Sequence, residues 1–273
     1  MWAADKLVYR GEDDFIRAYQ GSELVWEKSI PNNVIYYTSI DGSIITPDIG
    51  IGESEKGFGA NIVSNTYSGG QGVILFDGPV TMIGNSAFGE YMLGHPHKLV
   101  SITIPDSVTR IGDIAFSECL KLNSINIPHS VTYIGDEAFY SCESLTSITI
   151  PDSVTYIGSG CFQYCYRLAS YVLSSSITII KESLFDACIV LRSAVIPSGI
   201  TRIEAGAYNR CNELSEVIVN AVVPPNMTKN PQNRYNQFYN NASGRKIKVP
   251  AASLRAYKTA PGWSTYAADI IAQ

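Results

Sequence analysis

The sequence predicts a solenoid: a β-rich coil of 23 residues, with short helical turns, wound on itself as a right-handed superhelix. Four columns of residues predict it. Cys119, Cys142, Cys165, Cys188 and Cys211 follow one another at steps of 23 residues, and only Cys161 falls outside the series. Phe116, Phe139, Phe162 and Phe185 keep the same step, which Tyr208 extends. Ile111, Ile134, Ile157, Ile180 and Ile203 form a third column, and Leu122, Leu145, Leu168, Leu191 and Leu214 a fourth. Columns of this kind, in register over residues 79–220, do not arise by chance.

Taken in chain order, residues 1–29 form a separate N-terminal module. Phe15 to Tyr19 and Leu24 to Trp26 alternate like strands around Gln20-Gly21-Ser22, so residues 6–27 read as a β-hairpin. Ser29 to Asn33 is a linker, and residues 34–46 suggest a second hairpin turning at Asp41-Gly42. Residues 47–57 read as loop. Within a capping region of residues 30–78, the stretch 58–78 is expected to cover the open first coil. Val80, Ile83, Gly84, Ala87, Phe88, Leu99 and Ile102 fit the repeat if five residues are inserted.

One coil, Leu122 to Leu145, explains the rest. Ile125 and Ile127 point one way from a strand while Ser124 and Asn126 point the other. Pro128 ends the strand, because it has no N–H to give to a ladder. Ser130 to Gly135 is a second extended piece that buries Val131 and Ile134. Gly135 suits a positive φ. Asp136 is placed to cap a short helical turn on which Ala138, Phe139 and Cys142 face inward. One coil buries roughly eight apolar side chains at about 1.5–3 kcal/mol each. Ordering its backbone costs about 1–2 kcal/mol per residue, so a coil cannot stand alone and must stack. About six regular coils are expected, followed by residues 221–273: a degenerate coil ending at Ile247-Lys248-Val249-Pro250, then a cap. In that cap Ala252 to Lys258 and Ser264 to Ile271 look helical, and Trp263 helps to seal the end.

Composition narrows the function. Hydrophobic residues make up 45% and charged residues 16%, the balance of a folding chain. A net charge of −5 carries no footprint of nucleic-acid binding and no attraction to anionic membranes. No run of about eighteen apolar residues exists, so no membrane insertion is expected. Met1 to Lys6 lacks the basic and apolar segments of a secretory leader.

The line Ile127-Pro128-His129-Ser130-Val131-Thr132-Tyr133-Ile134-Gly135-Asp136-Glu137-Ala138-Phe139-Tyr140-Ser141-Cys142-Glu143-Ser144-Leu145 closely resembles the BspA-type bacterial leucine-rich repeat. Phe58 to Tyr67 and Val249 to Lys258 are similar to segments that flank such arrays in gut bacteria. Residues 1–29 resemble short modules of bacterial and prophage surface proteins. The resemblance implies a leucine-rich-repeat solenoid at the cell surface or secreted, engaged in adhesion, with no catalytic motif to carry over. An alternative is a structural component of a prophage tail, cytoplasmic before assembly into the particle.

Candidate chemistry is sparse. The five cysteines are too far apart in sequence for a zinc site, and their parallel vectors suit small buried hydrophobes, not disulfides. Cys161 replaces an alanine of its column and is expected to be buried. His95-Pro96-His97, in the insertion, reads as an exposed loop, with transition-metal binding as the alternative. His129 occupies the place of Asp106 and Asp152 and reads as a surface turn residue. Asp106 and Asp152, two coils apart at about 4.8 Å per coil, would lie about 10 Å apart. That only reaches the spacing of inverting glycosidases, and aspartate at this place is explained by the turn. Asn226-Met227-Thr228 and Asn241-Ala242-Ser243 match the glycosylation sequon. No phosphate loop or nucleophile elbow is present, so no enzyme and no cofactor are expected.

A partner is expected to be a protein or glycan. Outward strand positions run Ser101, Ser124, Ser147, Ser170, Ser193, Glu216 and Thr103, Asn126, Thr149, Val172, Val195, Ile218. The apolar turn of the second column suggests cover by residues 221–245 or a contact patch. An aromatic cluster, with Tyr133, Tyr140, Tyr156, Tyr164, Tyr166 and Tyr171 beside Arg110 and Arg167, has the composition of interface hot spots. Tyr133 and Tyr156 are expected to be exposed neighbours in one column, and Tyr133, Tyr156, Tyr140, Tyr164 and Arg110 are the candidate ligand contacts.

Overall fold

A computed structural model describes residues 6–8, 17–20, 23–27, 31–49, 57–89, 98–229 and 237–273. Near the N-terminus β1 (Lys6–Val8), β2 (Arg17–Gln20) and β3 (Glu23–Glu27) form an antiparallel sheet in the order β1-β2-β3. The expected hairpin therefore gains a third strand.

From residue 80 onward the chain is a solenoid with three kinds of wall. One wall carries β8 (Leu99–Thr103), β10 (Ser124–Ile125), β12 (Ser147–Thr149), β14 (Ser170–Val172), β16 (Ser193–Ile196), β18 (Glu216–Val219) and β20 (Lys246–Val249). The second carries β7 (Met82–Ile83), β9 (Arg110–Ile111), β11 (Tyr133–Ile134), β13 (Tyr156–Ile157), β15 (Ile179–Ile180), β17 (Arg202–Ile203) and β19 (Asn226–Met227). Neighbouring coils pair in parallel and in register, with Ile111 against Ile134 and Ile134 against Ile157. The third wall is made of turns.

The columns fill the interior. Phe88, Phe116, Phe139, Phe162, Phe185, Tyr208 and Phe238 stack ring on ring, with centroids 5.3–5.6 Å apart and planes within 3° to 17° of parallel. Phe238 lies in a stretch expected to be irregular, yet it supplies the ring of the last coil. The cysteines run beside this stack as buried free thiols. In the 23-residue series each Sγ–H donates to the carbonyl of an aromatic residue one coil earlier, from Cys119 to Phe88 through Cys211 to Phe185, at 3.1–3.3 Å.

Three local expectations are corrected. The third wall holds no helical turn between the aromatic and cysteine columns. Alternate N–H groups point along the solenoid and bond to the next coil, Ile114, Phe116 and Glu118 donating to Asp136, Ala138 and Tyr140 at 2.7–2.8 Å, while Ser117 and Cys119 between them close turns onto Ile114 and Phe116. That direction requires left-handed backbone at two columns, Ile114, Glu137, Gly160, Ser183, Gly206 and Glu118, Ser141, Tyr164, Ala187, Arg210. Gly135 is not among the positive-φ residues. It is glycine because a Cβ there would sit 2.2 Å from Asp113 Oδ1 and 2.6 Å from the Asp113 nitrogen. Asp136 caps no helix of its own: Asn85, Asp113 and Asp136 each accept, through the side-chain oxygen, the backbone N–H of Asp113, Asp136 and Ser159 in the following coil.

Both ends are closed. β4 (Val34–Ser39) lies antiparallel between β8 and β6 (Gln71–Phe76), and β5 (Ile62–Ser68) pairs on the far side of β6. The expected hairpin over residues 34–46 is thus replaced: after Asp41 the chain leaves the sheet, held by an ion pair from Lys98 to Asp41 at 2.8 Å. Phe58 covers the Phe88 ring edge-on and is itself backed by Phe76. At the other end β20 receives β21 (Ile270–Ala272) in parallel, after α1 (Leu254–Thr259) and a 3-10 turn, Trp263–Tyr266. The stretch 264–271 is therefore a short turn and a strand, not a helix. Trp263 is fully buried, and its indole N–H donates to the Pro225 carbonyl at 2.8 Å.

Candidate functional site

The candidate residues separate onto two walls. On the second, Arg110, Tyr133 and Tyr156 follow one another in β9, β11 and β13. Their side chains stack: the Arg110 guanidinium lies 3.9 Å from the Tyr133 ring centre, the two rings lie 4.7 Å apart within 4° of parallel, and Lys181 Nζ lies 5.5 Å beyond Tyr156. This corrects the expectation that Tyr133 and Tyr156 are exposed. Both are half-buried, because each ring face is occupied by a neighbour, and only their edges meet solvent. Burial raises both phenol pKa values, and Asp113 and Asp136 add to the effect.

Tyr140 and Tyr164 stand on the turn wall. Their rings meet edge to face, 5.3 Å apart at 87°. With Ile114, Ser117, Glu118, Glu137 and Gln163 they line a hollow of about 470 Å³. A second hollow of about 280 Å³ shares Gln163 and Tyr164 and continues over Glu182, Ser183, Asp186, Asn209 and Arg210. Between the two hollows Tyr164 is clamped. Arg210 places its guanidinium 5.0 Å over the ring, donates to the Tyr164 hydroxyl at 3.1 Å, and binds Asp186 through Nε at 2.9 Å and Nη2 at 2.6 Å. Gln163 Nε2 also donates to Asp186, at 2.9 Å. The Arg210 pKa rises well above its ordinary value through that carboxylate. The Glu137 carboxyl is raised by desolvation and by the charge of Asp136.

The sequence reading missed Glu137, Gln163, Asp186 and Arg210. The available signal was the column Ser117, Tyr140, Gln163, Asp186, Asn209, polar and varying from coil to coil between two constant apolar columns.

Other candidates fall as follows. Tyr171 turns inward, stacked on Phe185 at 4.3 Å with its hydroxyl 2.9 Å from that of Tyr208. Val172 and Val195 are 58% and 43% exposed, so the described part of residues 221–245 does not cover them. In register they continue through Ile218 and Lys248 to Ile271. Asp106 and His129 are exposed turn residues. Asp152 accepts from the Ser175 N–H and hydroxyl at 2.7 and 2.9 Å, which holds its carboxyl below the usual range. Asn241 spends its amide on the Tyr208 carbonyl at 2.8 Å. His95 and His97 lie outside the described residues. Among the described residues no three His, Cys, Asp or Glu side chains gather as a metal site, and no helix is long and apolar enough to cross a membrane.

A family model for the BspA type leucine rich repeat region matches residues 81–215 in six copies. Solved structures similar to the chain include a leucine rich cell surface protein from Faecalibacterium prausnitzii. It is 29% identical with a TM-score of 0.40, over 60% of this chain and 57% of that one. A leucine-rich repeat protein from Eubacterium ventriosum is 26% identical with a TM-score of 0.42, over 51% of this chain and 42% of that one. The T. pallidum leucine rich repeat protein is 26% identical with a TM-score of 0.45, over 55% of this chain and 72% of that one. Among curated proteins no relative matches.

Proposed function

This chain belongs to the BspA-type leucine-rich repeat proteins through residues 81–215, and we propose that it is a non-catalytic binding module that holds a host or microbial protein or glycan on its turn wall. The observation that carries the reading is the hollow between Tyr140 and Tyr164. Its walls are side chains whose backbone is hydrogen-bonded to the coils on either side, so the contact surface is rigid before any partner arrives. Two tyrosines at right angles offer ring area with few rotatable bonds, which lowers the entropy lost on binding. Tyr140 and Tyr164 make the contacts. Tyr133 and Tyr156, whose ring faces are already filled, contribute edges at most, and Arg110 is engaged on the Tyr133 ring. The proposal includes display at or beyond the cell surface, as the repeat family implies.

A protein and glycan array probed with the purified chain tests the reading. Capture of a partner is expected, and a Tyr140→Ala, Tyr164→Ala double variant with unchanged circular dichroism is expected to lose it. A partner captured equally by that variant overturns the assignment.

A further inference from the structure

We propose that the hollow between Tyr140 and Tyr164 takes a guanidinium group from an arginine-bearing segment of a protein partner. The inference rests on the binding reading above and names its ligand chemistry. The chain displays the required interaction on the other side of Tyr164. There Arg210 lies over the ring and is gripped by a carboxylate through two N–H groups. The larger hollow presents the same kind of surroundings: a second tyrosine ring, and the carboxylates of Glu118 and Glu137. Among the described residues its lining contains no Lys, Arg or His.

The hydrogen-bonding character of the lining selects among ligands. Glu118 and Glu137, when ionised, only accept. Ser117, Tyr140 and Tyr164 carry hydroxyls that donate or accept, and Gln163 gives one amide hydrogen to Asp186. A sugar hydroxyl finds partners among those hydroxyls but leaves the carboxylate charge unmatched. A guanidinium donates through every polar hydrogen, carries the opposite charge and stacks on aromatic faces, so it matches both the carboxylates and the rings. The raised carboxyl of Glu137 agrees: its charge stands in partly desolvated surroundings beside the like charge of Asp136, a cost that an incoming cation relieves. A net charge of −5 on the whole chain attracts a basic segment from a distance.

The experiment uses the whole chain and two probes, blocked Gly-Arg-Gly tripeptide and its citrulline counterpart, which keeps the shape and loses the charge. Binding is read by NMR from the ring resonances of Tyr140 and Tyr164, assigned through the single tyrosine variants. The arginine peptide is expected to shift them at millimolar concentration and the citrulline peptide not to. Glu137→Gln is expected to weaken the arginine peptide roughly tenfold, as befits a charge-assisted contact in a partly dry site, and added salt to weaken it further. Equal response to both peptides, no response to arginine, or no effect of Glu137→Gln overturns the inference. A neutral glycan that wild type captures and the Tyr140→Ala, Tyr164→Ala variant loses, in the absence of any arginine response, sinks this inference while leaving the binding reading intact.

Discussion

Gly135 offers a sharp test of how the coils stack. A Cβ added at this position would lie 2.2 Å from Asp113 Oδ1, 2.6 Å from the Asp113 nitrogen and 2.7 Å from the Gly112 carbonyl carbon. The first atom can swing away. The other two are backbone of the preceding coil, so the coils themselves must part by about 1 Å to restore ordinary contact. The Gly135 N–H donates to the Ile111 carbonyl at 2.9 Å, and such a bond does not survive that displacement. Overpacking of this kind costs about 2 kcal/mol and the lost hydrogen bond about 1 kcal/mol more. The sum, about 3 kcal/mol, corresponds to a fall of about 6–12 °C in melting temperature for a chain of this size. The molecule already contains a natural change in this column. Gly112, Gly135 and Gly158 are succeeded by Lys181, and there the second wall divides: one sheet ends at β13 and another begins at β15. At Glu204 the wall pairs again, with the Glu204 carboxylate accepting the Glu182 N–H at 3.2 Å. Differential scanning calorimetry of Gly135→Ala checks this magnitude, with Gly78→Ala as control, since a Cβ there meets nothing nearer than the Ala60 methyl at 3.8 Å. If Gly135→Ala melts with wild type, the close approach of coils is not what selects glycine.

The other predictions concern polar and sulfur groups inside the solenoid. Ser130 Oγ donates to the Val108 carbonyl at 2.6 Å, whereas Ser153, one coil later, has a buried hydroxyl with no partner. Chemical denaturation should therefore find Ser130→Ala less stable by about 1 kcal/mol and Ser153→Ala as stable as wild type or more so; equal losses would contradict this. Arg245 is a buried lock of the C-terminal cap, donating to the Phe238 carbonyl at 2.8 Å and to Asp269 at 2.7 Å. Arg245→Met strands both acceptors and should cost about 3 kcal/mol, with early loss of hydrogen-exchange protection in β20 and β21; a cap that stays protected would reject it. All six thiols are buried, and desolvation pushes the Cys165 thiol up to about 12. An aromatic disulfide reagent should leave the native chain unlabelled and react fully after unfolding. Because the folded pKa lies above the unfolded one, this stability is complete below about pH 8.5 and is lost as pH rises toward 12. Rapid labelling of the native protein would show the cysteine row to be open.

The legible part of the fold is the part that repeats. An inward position has the same neighbours in every coil, so it keeps the same residue, and the phenylalanine, cysteine, leucine and isoleucine columns mark the core without further information. The turn wall is not legible, because its left-handed residues are set by hydrogen bonds to the next coil and not by their own preference. Ile114, Glu137, Ser141 and Tyr164 share no property that announces a positive φ. The partner of the strand Val34–Ser39 is hidden for a related reason. Asp41-Gly42 is a local turn signal, but the competing partners β6 and β8 lie far along the chain and bury Ile35 and Tyr37 between them. The column step makes Tyr133 and Tyr156 neighbours, and they are; their burial depends also on Lys181, a residue standing in the glycine column, where the repeat has no place for a long side chain.

The same logic explains why a binding site would arise on the turn wall. Side chains that vary from coil to coil must not disturb the stack, so they must leave a backbone whose hydrogen bonds are satisfied without them. The column Ser117, Tyr140, Gln163, Asp186, Asn209 meets that condition, held between aromatic and cysteine columns that point inward. Its members interact mainly with one another and with the next column, as Tyr140 does with Tyr164 and Asp186 with Arg210. A change there alters the shape and charge of a hollow while leaving the core as it is. Exchanging Tyr140 should therefore move affinity and spare the melting temperature, whereas exchanging Phe139, one residue earlier and fully buried, should do the reverse of sparing it, at about 3–5 kcal/mol for alanine. Adjacent residues with opposite effects would place recognition on the wall and stability in the stack; a Tyr140 variant as unstable as Phe139→Ala would show that the two are not separable.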